Sequence, residues 1–385
     1  LQEITRRHGI HRAALVPPAD LGPAMEHALE ALREGRIPSR YRWTEEKTRA
    51  AYAYQGRLQW ARSVLVAAVS YHTGEREPSD PTFGRIAPYT RRNSYRYQMD
   101  RLAEVMEELQ HAAGRSIRHK LLSNYTALPE KPLFALSGLG EVGKNSVLIS
   151  PGLGSRFVIG ETLTDLEPGI FEDAGDPAGA RAGTFAACAT PAGALSSVMT
   201  TPRRPDFAVC GECDACMRAC PTGAIVAPGK LDANRCLQYL SENLLEIPPR
   251  IMETWGNRLY GCSTCLDVCP HNRDLEPLGA LHHRGWVGAG MSLPDLLELG
   301  EDRWRRLFRD NQIGRRDPDA IRQNALIACG STRLRESELV LRRYLDHPLP
   351  LLRSSASWSL GRLGAGRARR ITTSSSGFPP GCPPG

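Results

Sequence analysis

Apolar residues fall at three- and four-residue intervals over Met25–Arg33 (MEHALEALR), which predicts an amphipathic helix within a largely helical stretch over residues 1–60. Ser63–Tyr71 (SVLVAAVSY) breaks that period with a continuous apolar run of the length of a buried strand. A Pro/Gly-rich connection ending in Gly84-Arg-Ile-Ala-Pro-Tyr89 follows, and the helical period returns over Tyr95–His111, with Met99, Leu102, Val105, Met106 and Leu109 on one core-facing stripe. Short strands alternating with helices predict an α/β or α+β unit here.

The next patterned stretch is Gly138-Leu-Gly140-Glu-Val-Gly143-Lys144-Asn145, leading into the strand-like SVLIS and on to Gly160-Glu161. Its glycine spacing is that of a dinucleotide-binding fingerprint, but the context is reversed. Such a fingerprint follows a strand and opens a helix, whereas this one follows the helix-like PEKPLFALS and precedes a strand. A glycine-lined face for a flat ligand remains open to it. Residues 168–205 are Gly/Ala/Pro-rich without periodicity and are expected to be a linker or insertion. Residues 292–308 are expected as helical turns with a proline break. Arg322…Ala325…Gly330 and Arg353…Ala356…Gly361 recur at a constant offset, the mark of a short HEAT-like helical pair with exposed arginines, and residues 366–385 are expected to be a disordered tail.

The net charge of +7 is unevenly placed. Glu301 to Arg370 holds sixteen Arg, no Lys and eight acidic residues, so the excess sits at the C-terminal end. A solvated helical face accounts for some of it. The all-arginine choice and the pairs Arg305-Arg306 and Arg315-Arg316 point to phosphate contact, because guanidinium grips phosphate bidentately. No run of eighteen apolar residues occurs, so no membrane span is expected, and without an apolar leader near residue 1 the expected location is cytoplasmic.

Eight cysteines between Cys210 and Cys269 carry the chemistry. Cys210, Cys213, Cys216 and Cys220-Pro221 form the C-x2-C-x2-C-x3-C-P run in which the fourth thiolate crosses to the partner cluster of a two-cluster ferredoxin. Cys236 stands alone, and Cys262, Cys265 and Cys269-Pro270 complete the set. The spacing predicts two [4Fe-4S] clusters, one on Cys210, Cys213, Cys216 and Cys269, the other on Cys220, Cys236, Cys262 and Cys265. Paired C-x2-C steps also suit zinc, but zinc has no use for two reciprocal C-x3-C-P endings. A disulfide framework fits neither the spacing nor a reducing compartment.

These motifs together resemble the cobalamin-dependent, iron-sulfur epoxyqueuosine reductases, relatives of the reductive dehalogenases. The resemblance runs from about Ser63 to Gly364. It rests on GLGxxGKN at Gly138–Asn145, GETLTDLE, CPTGAI at Cys220–Ile225, CLQYL at Cys236–Leu240, GCSTCLDVCPHN at Gly261–Asn272 and the RQNALIACG segment. It implies an α+β chain: a cobalamin-binding catalytic domain (1–167), an insertion (168–205), a double-cluster ferredoxin-like module (206–280), a HEAT-like domain (281–365) and a tail (366–385). It also implies reduction of epoxyqueuosine to queuosine at the wobble position of tRNA with a GUN anticodon, a flavodoxin or ferredoxin as electron donor, and a monomer. By position, Leu148, Ser150, Ile159, Ser263 and Thr264 are the implied cobalamin contacts, and Arg305, Arg306, Arg315 and Arg316 the candidate RNA contacts.

Two departures stand out. Where the family usually has a proton-donating aspartate this chain has Asn124, and an amide is no general acid near neutral pH. Tyr125, Glu130 or Glu141 are the candidate substitutes; Glu141 occupies a position where these reductases commonly have an aromatic residue and dehalogenase-like relatives often have Glu. The family's Asp-Tyr-His element is Ser94-Tyr95-Arg96 here. The alternatives are therefore a paralogous, dehalogenase-like corrinoid reductase of another epoxide or halide, and a ferredoxin-type electron-transfer protein.

Overall fold

Ser63–Ser70 is a strand in the computed structural model, and all eight of its residues are buried. The structure describes residues 1–57, 59–80, 82–123, 128–168, 170 and 207–371. Leaving short 3-10 turns aside, the N-terminal half runs α1 (Gln2–Arg7), β1 (Arg12–Val16), α2 (Gly22–Arg33), α3 (Glu45–Tyr52), α4 (Tyr54–Arg57), β2 (Ser63–Ser70), β3 (Phe83–Ile86), α5 (Ser94–Ala113), β4 (His119–Leu122), α6 (Glu130–Leu136), β5 (Glu141–Val142), β6 (Leu148–Ile149) and β7 (Phe157–Thr164). The remaining strands are β8 (Ile225–Ala227), β9 (Lys230–Leu231), β10 (Arg258–Tyr260) and β11 (Gly290–Ser292).

The main sheet has the order β1-β2-β7-β4 and is antiparallel throughout. Because β2 is an inner strand covered on both sides, it needs apolar residues at every position rather than at alternate ones. Leu65, Ala67 and Val69 pack on one face with Leu102, Val105, Met106 and Leu109 of α5. Val64, Val66 and Ala68 pack on the other with Leu133 and Phe134 of α6. Each fully buried side chain of this kind is worth about 1.5–3 kcal/mol. Helix α5 starts where the Asn93 side chain accepts a hydrogen bond from the Arg96 amide and stops at Gly114, whose φ is +62°. Met99 is only half-buried, at the edge of the expected stripe.

A second sheet, β10-β3-β11, joins the parts of the chain. Strand β3 runs parallel to β10 and antiparallel to β11. The stretch expected as a plain connection therefore places a strand of the N-terminal region between two strands from the cysteine-rich and C-terminal regions.

Residues 292–308 form two helices, Leu293–Leu297 and Glu301–Phe308; the expected proline does not break them, since Pro294 sits in the first turn of the first helix and the interruption falls at Glu298–Gly300. Helices Pro318–Thr332 and Pro350–Ile371 pack on each other, with Ala325 and Ala356 fully buried. A Cβ on Gly330 would lie 2.7 Å from Ser359 Cα, so the glycine permits the close approach. The arginines of the repeat are half-buried rather than exposed. Arg322 pairs with Asp319 at 2.6 Å, and Arg353 donates to the carbonyls of His347 and Pro348. The last helix continues through 366–371, into the expected tail. All but the first residues of the 168–205 stretch lie outside the described residues. No helix among the described residues is long and apolar enough to cross a membrane.

Candidate iron-sulfur and cofactor site

The glycine-rich segment folds as a tight hairpin. Val142 pairs with Leu148 and Glu141 with Ile149, and the Gly143 amide donates to Val147 O at 2.8 Å. A Cβ on Gly140 would strike the Ile149 carbonyl, and one on Gly143 would lie 2.8 Å from Ile149 Cδ1. These two glycines serve the turn, in agreement with the reversed helix-then-strand order. Gly138 differs: its φ is +72° and, its chain neighbours aside, no atom of the described residues lies within 4 Å of where a Cβ would stand.

This hairpin holds the first cysteine loop. Lys144 Nζ donates to Gly211 O (2.6 Å) and Cys213 O (3.0 Å), and its backbone amide donates to Cys210 Sγ at 3.4 Å. Ser146 Oγ donates to Gly229 O, whose own residue's amide donates back to Lys144 O. A second stitch is Asn272: its Oδ1 accepts from the Ser155 amide (2.7 Å), and its Nδ2 donates to Ser155 Oγ (2.8 Å) and Leu266 O (2.7 Å). Gly154, with φ +57°, has no room for a Cβ because Asn272 and the His271 carbonyl occupy it. Lys144 and Asn272 stand within recognisable motifs, but the sequence assigns them no role, since what they hold is remote in the chain.

Two of the thiols show which cysteines stand near them. Burial, then Cys210, Cys269 and Cys213, push the Cys216 thiol up. Burial, then Cys262, Cys236, Cys216 and Cys220, push Cys265 up to about 12. Cys216 registers in both neighbourhoods, so the sets abut. Among the described residues no three His, Cys, Asp or Glu side chains converge as closely as one metal ion requires. Backbone amides reach the sulfurs as well: the Ala224 amide donates to Cys220 Sγ at 3.2 Å, the kind of contact that tunes cluster potential.

The other expected site residues are placed as follows. Leu148 and Ser150 are buried, the Ser150 hydroxyl donating to Leu139 O at 2.6 Å, and Ile159 is half-buried on β7. Ser263 Oγ donates to Asp267 at 2.8 Å, and Thr264 Oγ1 accepts from Arg258 at 2.7 Å. Glu141 is exposed. Asn124 lies outside the described residues. Arg305, Arg306 and Arg315 are exposed, but Arg316 turns inward, pairing with Glu242 at 3.0 Å and donating to Tyr260 Oη at 3.1 Å.

Residues 209–272 match the family model described as a 4Fe-4S double cluster binding domain. The chain is 29% identical to the epoxyqueuosine reductase of Salmonella typhimurium over 296 residues, covering 74% of this chain and 66% of that one. It is 26% identical to that of Bacillus subtilis (80% and 73% covered) and 30% identical to that of Yersinia pestis (67% and 56% covered). The chain thus spans 56 to 73% of the length of these relatives. Among solved structures, the epoxyqueuosine reductase of Streptococcus thermophilus superposes with a TM-score of 0.76 at 22% identity, covering 97% of this chain and 93% of that chain. An epoxyqueuosine reductase solved with an epoxyqueuosine-modified tRNA stem loop gives 0.74 at 20% identity, with the same coverage. These likenesses show the fold to be shared.

Two abutting thiol sets pinned to an antiparallel sheet by Lys144 and Asn272 define a double-cluster iron-sulfur oxidoreductase. The chain belongs to the epoxyqueuosine reductase family.

Proposed function

We propose that the chain reduces epoxyqueuosine to queuosine in tRNA, with electrons entering through two [4Fe-4S] clusters and cobalamin as the second cofactor. The observation that carries this reading is the abutting pair of thiol sets fastened to the β5–β6 hairpin and to the start of β7, in a chain of this family. Cys210, Cys213, Cys216 and Cys269 hold one cluster; Cys220, Cys236, Cys262 and Cys265 hold the other.

The residues present fit a corrinoid. Ile159 keeps half-exposed apolar surface on β7 with Leu148 buried in the cluster it packs against, Gly138 presents open space where a Cβ would stand, and Ser263 and Thr264 lie between the ligating Cys262 and Cys265. A corrinoid supplies low-potential cobalt, the chemistry needed to open a carbon–oxygen bond reductively. Lys144 and Asn272 fix the cluster loops against that surface. The C-terminal helices act as a HEAT-like support for tRNA, with Arg305, Arg306 and Arg315 available to phosphate, while Arg316 keeps Glu242 compensated. A flavodoxin or ferredoxin serves as donor, and the monomer is the working unit.

The test is complementation. In cells lacking epoxyqueuosine reductase, expression of this chain restores queuosine in digests of bulk tRNA. Persistence of epoxyqueuosine, with the protein present and its iron loaded, would overturn the reading.

A further inference from the structure

Antiparallel partners share a face of the sheet, so the pairs Val66↔Glu161 and Ala68↔Ile159 put Glu161 on the same side as Ile159. That side is packed with Val64, Leu122, Leu133, Phe134 and Leu148. Glu161 is fully buried there, and beyond its interaction with Glu130 neither of its carboxyl oxygens has a hydrogen-bond partner among the described residues. The charged group facing it is another acid, Glu130, in the first turn of α6. On β4, Leu122 lies directly opposite Glu161; Lys120, two positions along on the same face, is solvent-exposed, and Lys131 on α6 is held by Ser146 O at 2.8 Å. No base among the described residues pairs with Glu161.

Two carboxylates cannot both stay ionised in such a place, because each loses hydration and repels the other. Burial first, and Glu130 second, raise Glu161 well above the ordinary carboxyl range. A neutral filler would need no acid, and glutamine would occupy the same space. The pair also leads somewhere. Glu130 acts on the Tyr95 phenol together with Glu242, against the opposing Arg316, after burial as the main cause of that phenol's shift to about 12. Glu242, Arg316 and Cys236 in turn all act on Tyr41. Tyr95 thus stands within electrostatic reach of both Glu130 and the Glu242–Arg316 pair.

We propose that Glu161 and Glu130 share one proton and store it for the reduction, Glu130 delivering it toward the departing epoxide oxygen where Asn124 offers no acid. This rests on the reaction assigned above. Conversion of the epoxide to an alkene breaks both carbon–oxygen bonds, takes up two electrons and two protons, and releases water. The one-electron donor supplies the electrons in two steps. The dyad protonates the oxygen as the first carbon–oxygen bond breaks and becomes doubly ionised, and protons from solvent supply the second and reload the pair. Glu161 acts through Glu130 and is a positioning residue.

The experiment uses the full chain with both clusters loaded. Infrared spectra in light and heavy water are expected to show a protonated-carboxyl band near pH 8 that is absent from Glu161→Gln and from Glu130→Gln. In single turnover both variants are expected to lose at least tenfold in rate at neutral pH, with unchanged tRNA affinity and a flattened pH profile. Glu161→Gln is isosteric, and retained iron content and circular dichroism establish its fold. Absence of the band in the wild type, its persistence in both variants, or wild-type turnover by both would overturn the proposal. A wild type that shows the band yet reduces no epoxide would instead overturn the reaction assignment, and the delivery role with it.

Discussion

Lys144 Nζ lies 2.6 Å from the carbonyl oxygen of Gly211, and so a residue of the N-terminal hairpin closes the first cysteine loop. Charge-assisted hydrogen bonds of this kind contribute about 1.5–3 kcal/mol. In Lys144→Met that contribution goes, and the loop carrying Cys210 and Cys213 loosens. The expected result is an iron content falling from about eight toward four per chain after gel filtration, measured colorimetrically. Full retention would show the clamp to be dispensable.

Asn272 is the matching stitch on the second loop. Asn272→Ala strands the Ser155 amide and the Leu266 carbonyl at a cost of about 1–3 kcal/mol. Gly154→Ala adds a clash at a left-handed backbone position. Both variants are expected to speed limited proteolysis between the sheet and the cysteine region, with Gly154→Ala the more severe.

How much of this was legible in the chain depended on whether the signal was local. The buried strand at Ser63–Ser70, the α5 stripe and the rejection of a dinucleotide fingerprint at Gly138–Asn145 came from period and order, which are properties of neighbouring residues. The double-cluster character of residues 209–272 came from cysteine spacing, because a cube needs thiolates at short fixed intervals. Strand β3 was missed since its four residues become a strand only by pairing with β10 and β11, far along the chain. Glu161 gave no sign either: in GETLTD it reads as one polar residue among several, and only the packing of α6 against β7 buries it beside a second acid.

Glu161 also sets a dependence on pH. Its folded-state carboxyl titrates well above the ordinary value near 4.5, so between that value and the raised one the folded chain holds a proton that the unfolded chain has lost. Stability from this group is greatest below about pH 4.5 and falls as pH rises through the window. Thermal unfolding of Glu161→Gln is expected to be less sensitive to alkaline pH than that of the wild type.

His282 works in the other direction. It stacks on Tyr97 with ring centroids 4.5 Å apart, and burial, then Arg92, Arg284 and His283, lower its pKa to about 4. Between about pH 6.5 and 4 the unfolded chain binds a proton that the folded chain refuses, so stability is lost as pH falls through that window. His282→Phe, which keeps the stack, is expected to resist acid better than the wild type in the same unfolding series.

Arg305, Arg306 and Arg315 are exposed whereas Arg316 is engaged with Glu242, so their substitutions separate. Changing the three exposed arginines to Gln is expected to reduce the slope of log affinity against log salt by about 0.7–0.9 for each phosphate no longer neutralised. Arg316→Gln leaves the largely buried Glu242 uncompensated and is expected to lower stability more than salt sensitivity.

The most direct measurement is single-turnover reduction of epoxyqueuosine-containing tRNA by the anaerobically reconstituted chain, with cobalamin and a strong one-electron donor, queuosine being read by mass spectrometry. The expected result is queuosine in stoichiometric yield from protein carrying about eight irons and one corrinoid. Intact epoxyqueuosine after full loading of both cofactors would contradict the assigned substrate while leaving the cofactor sites standing.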